Sequence, residues 1–246
     1  MASPVLTRNN NFRPHEANFG GAPFQATGVM TMENTMKKIA SLFSILLVGA
    51  VIGWFVPILF IPAAIAGLVL GLVNAFKKEP SVPLIVSYAA VEGIFVGGIS
   101  SFFEQIYPGI VIQAVLATLV VTGVTLALFA NGVVRATPKL TKFVLVAMLS
   151  YAAFSVVNLL LMITGVTQGM YGLRSVEVFG IPLGVFIGIV AILLATYSLI
   201  MDFTFIQNGI SNRVPEKYGW TASFGIMVTI VWLYLEILRL IGIFRN

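Results

Sequence analysis

The chain predicts an all-α integral membrane protein, a seven-transmembrane-helix bundle with its N-terminus in the cytoplasm. Three observations carry this. Of 246 residues, 59% are hydrophobic and only 9% are charged, where a soluble domain carries about 25%. The apolar residues gather into runs long enough to cross a bilayer, about 20 residues each. The basic residues fall on alternate connections between those runs, as the positive-inside bias of membrane proteins requires.

Residues 1–36 are polar and rich in Asn, Gly and Pro, and read as a disordered cytoplasmic tail. The first apolar run starts too late for a cleavable signal peptide. The seven-helix domain then occupies 37–246. A run of 38 residues from Ile39 to Phe76 is too long for one span and holds Pro57 and Pro62 near its middle. Proline breaks helices, so the run divides into spans at about 38–57 and 60–76. The third is expected from Pro83 to Phe103, the fourth from Ile110 to Asn131, and the fifth from Phe143 to Thr164. A polar loop, Gly165 to Glu177, leads to a sixth span from about Phe179 past Met201. The seventh runs from Thr221 to Phe244. The tail and the connections after spans two, four and six hold Arg8, Arg13, Lys37, Lys38, Lys77, Lys78, Arg135, Lys139, Lys142, Arg213 and Lys217. The opposite side holds Arg174 and Arg245, with Arg239 inside the last span.

Composition excludes several chemistries. The chain has no cysteine, one histidine (His15, in the tail) and one aspartate. Disulfides, iron–sulfur clusters, cysteine nucleophiles, buried histidine sites and a paired-aspartate protease have no residues to use. The chain is expected not to be an enzyme and to carry no cofactor. The basic residues follow topology, so no nucleic-acid partner is expected. Four-residue glycine steps at Gly49/Gly53, Gly67/Gly71, Gly93/Gly97 and Gly180/Gly184/Gly188 let helix backbones approach closely in lipid. Packing within one bundle is the simpler use of them, and a monomer is favoured.

The informative residues are acids inside the apolar runs. Such a charge costs a few kcal/mol by insertion scales, which makes it a functional candidate. Asp202 lies toward the inner end of span six, one turn after Ser198. Glu236 lies in span seven with Arg239 at i+3, close enough for an ion pair on one helix face. Two readings stay open for each. Asp202 is either a helix-end carboxylate in cytoplasmic water or a cation or proton site facing the bundle. Glu236 is either neutralised by Arg239 or faces Asp202. Two carboxylates forced together cannot both ionise easily, which makes a proton-operated switch. Their oxygens also suit a hard cation such as calcium, held transiently. Glu92, near the centre of span three with Tyr88 one turn before it, is a hydrogen-bonded glutamic acid or part of the ion pathway. Asn158 is expected to bond between helices, and Glu104 and Glu177 to lie at the outer surface.

Three segments in order resemble one family. YAAVEGIFVGGIS resembles the glycine-rich third-helix motif of the Bax inhibitor-1 (transmembrane Bax inhibitor motif) family. YSLIMDFTFIQ resembles its sixth-helix aspartate motif, and LYLEILRLI its last-helix motif, which usually reads LYLDxxxLF. The resemblance covers most of the chain after the tail. It implies a pH-sensitive calcium leak worked by an acidic pair on helices six and seven, here Asp202 and Glu236. It also implies a basic latch near the inner end of helix two, here Lys77 or Lys78. The chain departs from the pattern in its glutamate, in the 33 residues between the two acids, and in ending ten residues after Glu236.

The expected function is therefore a pH-sensitive calcium (cation) leak channel or proton-coupled exchanger in a bacterial plasma membrane. Its ion pathway would use Asp202, Glu236 and Glu92, with Lys77, Lys78 and Arg239 as possible latches. The alternative is a non-transporting regulator that binds other membrane proteins, as in quality control or stress response.

Overall fold

The computed structural model describes residues 28–167 and 169–246. Residues 1–27, which hold most of the expected tail, lie outside the described residues. Seven helices among the described residues are long and apolar enough to cross a membrane. They are α1 (Met32–Phe55), α2 (Phe60–Phe76), α3 (Val82–Ile106), α4 (Ile110–Ala130), α5 (Pro138–Ile163), α6 (Leu183–Ser211) and α7 (Tyr218–Arg245). The predicted break at Pro57 is present as a single 3-10 turn, Pro57–Leu59. Proline lacks the N–H that would continue α1.

Local chemistry explains where the boundaries differ from expectation. Helix α1 starts at Met32, ahead of the expected 38, because Thr31 and Asn34 form a reciprocal capping box. Such a box satisfies two otherwise orphaned donors. Lys37 and Lys38 are thus inside α1 and not ahead of it. Helix α5 starts at Pro138, ahead of Phe143, with Thr137 as N-cap and proline at the first helical position, where its missing N–H costs nothing. Helix α6 starts later than Phe179, at Leu183. Residues 177–182 instead form a two-residue hairpin, β1 (Glu177–Val178) with β2 (Ile181–Pro182). Its turn places Phe179 and Gly180 at positive φ, which no helix interior allows. Helix α7 starts at Tyr218, three residues before the expected Thr221.

The described residues divide into two compact units, 28–99 with 201–228, and 100–200 with 229–246. Helices α3, α6 and α7 each contribute to both. In the first unit, α1 packs on α3 through two of the predicted glycine steps. A Cβ at Gly49, Gly53, Gly93 or Gly97 would meet the backbone of Ala90, Ile94, Leu46 or Ala50 respectively. The two backbones touch where side chains would otherwise hold them apart, a packing mode suited to lipid. The second unit holds α4, α5 and the 164–182 loop. Here Glu104, at the turn between α3 and α4, accepts the backbone N–H of Gly109 at 2.6 Å and of Val111 at 3.0 Å. Its carboxylate caps the N-terminus of α4, where the helix dipole favours negative charge. Many large apolar side chains remain exposed on the helices, among them Ile65, Leu119, Leu149 and Leu193, as a lipid-facing surface requires.

The glycine contacts give a direct check. Gly97→Ala should destabilise the protein by about 1–3 kcal/mol through forced overpacking. Gly123→Ala, with nothing within 4 Å of the new methyl, should be neutral or mildly stabilising. Thermal unfolding of both variants in detergent compares them, and equal melting temperatures would refute the close α1–α3 approach.

Candidate functional site

The buried charges define two local environments, one in each unit. In the first unit Asp202 is 1% exposed. It sits nine residues before the end of α6 at Ser211, so it is not a helix-end carboxylate in open water. Glu92 on α3 shares this unit. Its carboxylate lies against Gly67 of α2, where a Cβ would come within 3.0 Å of Oε2. Tyr88, one turn earlier, interacts with Glu92 and lies against Gly71 in the same way. The second glycine step thus makes room on α2 for an acid and a phenol on α3. The Tyr88 ring meets Phe224 of α7 edge-on at 5.0 Å. The latch candidates Lys77 and Lys78 are exposed just after α2.

The lysine that is buried in this unit is Lys38. Its ammonium donates to the Glu216 backbone carbonyl at 3.1 Å and to Glu216 Oε1 at 2.9 Å, over the face of Trp220. The chain ahead of α1 joins the same corner. Met30 N–H donates to Val214 O at 2.8 Å, and Glu216 N–H to Gly28 O at 2.7 Å. The start of α1 is therefore pinned to the α6–α7 connection. Sequence counting took Lys38 only as a topology marker.

In the second unit, Glu236 is 2% exposed and surrounded by donors. Arg239 donates to both carboxylate oxygens, at 2.8 and 3.0 Å. Trp232 Nε1 donates to Oε1 at 3.2 Å, and the Tyr151 hydroxyl of α5 donates to the same oxygen. A second guanidinium, Arg174, approaches Oε2 at 3.9 Å. It donates to Tyr151 OH at 2.9 Å and to Ser155 Oγ at 3.0 Å, and stacks near the Tyr151 and Phe154 rings. The i+3 pairing of Glu236 with Arg239 is thus present. Asp202 and Glu236 belong to different units, and each is described by its own surroundings.

Arg174 is the residue that sequence reading missed. It was counted among loop charges on the outer side, yet it is 4% exposed. Its neighbours turn it inward. Gly172 takes φ of +56°, a conformation that favours glycine, and has no room for a side chain beside Asn158 and Met162. Asn158 of α5 accepts Leu173 N–H at 2.7 Å and donates to Tyr171 O at 3.3 Å. It therefore bonds a loop backbone and not a neighbouring helix. Tyr171 in that loop is buried, and burial, followed by the neighbouring Tyr107, pushes its phenol well above the ordinary range. It stays neutral.

A family model described as Bax inhibitor 1 like matches residues 3–246. The chain belongs to that family. No curated protein matches it. Membership establishes a multi-pass membrane protein of the Bax inhibitor type, and the seven helices agree. Among the described residues no three His, Cys, Asp or Glu side chains group as a metal site.

The donor count around Glu236 makes a prediction. Glu236→Gln would leave the buried Arg174 and the partly exposed Arg239 without their carboxylate and should cost on the order of 3–5 kcal/mol, as for other broken buried pairs. Arg239→Gln leaves one guanidinium beside one carboxylate and should cost less. Melting temperatures in detergent test the order, and a more damaging Arg239→Gln would show that Glu236 is not the hub.

Proposed function

We propose that this family member is a pH-sensitive leak for a hard cation, calcium the best match, with Asp202 as its proton-responsive carboxylate. The observation that carries the reading is the burial of Asp202 within α6. An acid kept at that position in lipid is costly, and its two protonation states differ by a full charge in a medium that screens little. The ionised form attracts a cation and supplies the oxygen that calcium prefers. The protonated form does neither. Conduction therefore falls as pH falls through the titration of Asp202 and rises as pH increases. Glu236 is the second acid of the proposed pathway, and Glu92, buried beside Tyr88, a third. Lys77 and Lys78 are proposed to serve as the latch. The basic residues support a cytoplasmic N-terminus; a bacterial plasma membrane, a monomer and the lack of enzymatic activity are part of the same proposal.

One observation favours the competing reading, a non-transporting regulator of other membrane proteins. The Glu236 carboxylate is occupied by the protein's own donors and offers no free oxygen to an ion in this conformation. The two readings separate in one experiment. The full chain, purified and placed in proteoliposomes with a calcium indicator inside, should show flux that increases from acidic to mildly alkaline pH. Asp202→Asn should lower the flux and flatten its pH dependence. An unchanged profile would overturn the role of Asp202. Absence of flux at every pH, with a membrane protein that co-purifies stoichiometrically, would establish the regulator.

A further inference from the structure

In the second unit three oxygens line the Arg174 guanidinium. Tyr151 OH and Ser155 Oγ of α5 accept from its Nη2 at 2.9 and 3.0 Å, and Glu236 Oε2 of α7 lies 3.9 Å from its Nη1; Tyr151 OH also accepts from Arg239 at 3.1 Å. We propose that these oxygens form a site for a hard cation, which Arg174 fills as a cation tethered to the 164–182 loop. The proposal deepens the cation-leak reading and rests on it for its physiological meaning.

Geometry and charge support it independently. Tyr151 lies about three turns from the α5 end at Ile163, and Glu236 about two and a half turns from the α7 end at Arg245. A residue from a connecting loop thus places its charge well below the ends of the helices it contacts. Arg174 is carried by a single 3-10 turn, Gly172–Ser175, and its side chain reaches down between the helices. The loop is held there by Asn158 through Leu173 N–H and Tyr171 O. It fits because Gly172 and Gly184 are small; a Cβ at Gly184 would come within 3.0 Å of Arg174.

Arg174 is poorly compensated for a buried charge. Glu236 is engaged by Arg239 on both oxygens, and the Arg174 approach to it is long. The Nε of Arg174 is buried and makes no hydrogen bond. An arginine does not lose its proton at physiological pH, and an uncompensated buried charge is costly. A residue held against that cost by a tether occupies the position of a cation without being ideally bound, so it can be displaced. Lifting the loop would leave a carboxylate and two hydroxyls, the oxygen ligands that hard cations take, with the remaining positions filled by water. Arg239 stays on Glu236 and keeps the vacated site near neutral, which favours transient over tight binding.

The test uses terbium(III), a hard-cation probe whose emission is sensitised by nearby aromatic rings. Trp232 and Tyr151 both contact Glu236. In the full chain in detergent, wild type and Arg174→Lys should bind terbium weakly. Arg174→Gln should bind roughly tenfold more tightly or better, since a competing charge is gone, and Arg174→Gln combined with Glu236→Gln should lose the gain. Asn158→Ala, which releases the tether, should shift binding the same way with Arg174 in place, and it decides the question if Arg174→Gln does not fold. Titrations unchanged in the folded variants would overturn the proposal. In proteoliposomes Arg174→Gln should raise calcium flux several-fold. If wild type carries no calcium at any pH, the leak reading fails, and the terbium result still decides whether the site exists.

Discussion

A single carboxylate, that of Glu236, sets the terms for the second unit. In a medium that hydrates nothing, its two oxygens must be met by donors from the protein. Arg239 comes from the same helix and needs no fold to arrive. Tyr151 requires α5 to lie against α7, and Arg174 requires the connection after α5 to turn inward. Each further feature of the loop follows. Gly172 adopts a conformation that admits the inward turn, Asn158 takes the backbone groups that the turn leaves unpaired, and Gly184 leaves space for the arginine stem. The unit is organised from the charge outward.

The first unit handles acids differently. The Glu92 carboxyl is given space. Gly67 and Gly71 recess the face of α2 so that a carboxyl and the Tyr88 phenol lie side by side against backbone. The same device, glycine opposite backbone, brings α1 onto α3 through Gly49, Gly53, Gly93 and Gly97. In lipid no hydrophobic gain comes from helix contact, since the alternative partner is equally apolar. Close dispersion contact and shape remain, and glycine supplies both. A chain with 23 glycines and a low charged fraction is thus using backbone shape where a soluble protein would use a greasy core.

This division explains what could be read from the sequence. The seven spans were legible because length and hydropathy are local properties, and the break at Pro57 because proline acts on its own helix. The Glu236–Arg239 pair was legible because i and i+3 share a face. Helix starts shifted by three to six residues where capping decided them, as at Thr31 and Thr137. Arg174 was not legible. Nothing in GLRS distinguishes a charge that points to water from one that a long-range bond folds inward, and Asn158, fourteen residues upstream, gives no local hint of the loop it holds. Lys38 failed in the same way. Its partners are Glu216 and Trp220, and a lysine beside an apolar run reads as a topology signal until the other end of the chain is placed over it.

Charge arithmetic gives the second unit its character. One carboxylate beside two guanidiniums leaves an excess positive charge at the point where the last-helix acid sits. Such a point repels a divalent cation, whatever the oxygens around it would otherwise offer. The two arginines are not equivalent in this respect. Arg239 is built into α7, three residues from Glu236, and cannot leave without unwinding the helix. Arg174 is carried by a loop, held by one asparagine and a few backbone bonds, and local opening free energies are smallest in such segments. The positive excess can therefore be relieved by moving only one of them. A carboxylate that a helix arginine pairs, and that a loop arginine covers, is uncovered only when the loop moves.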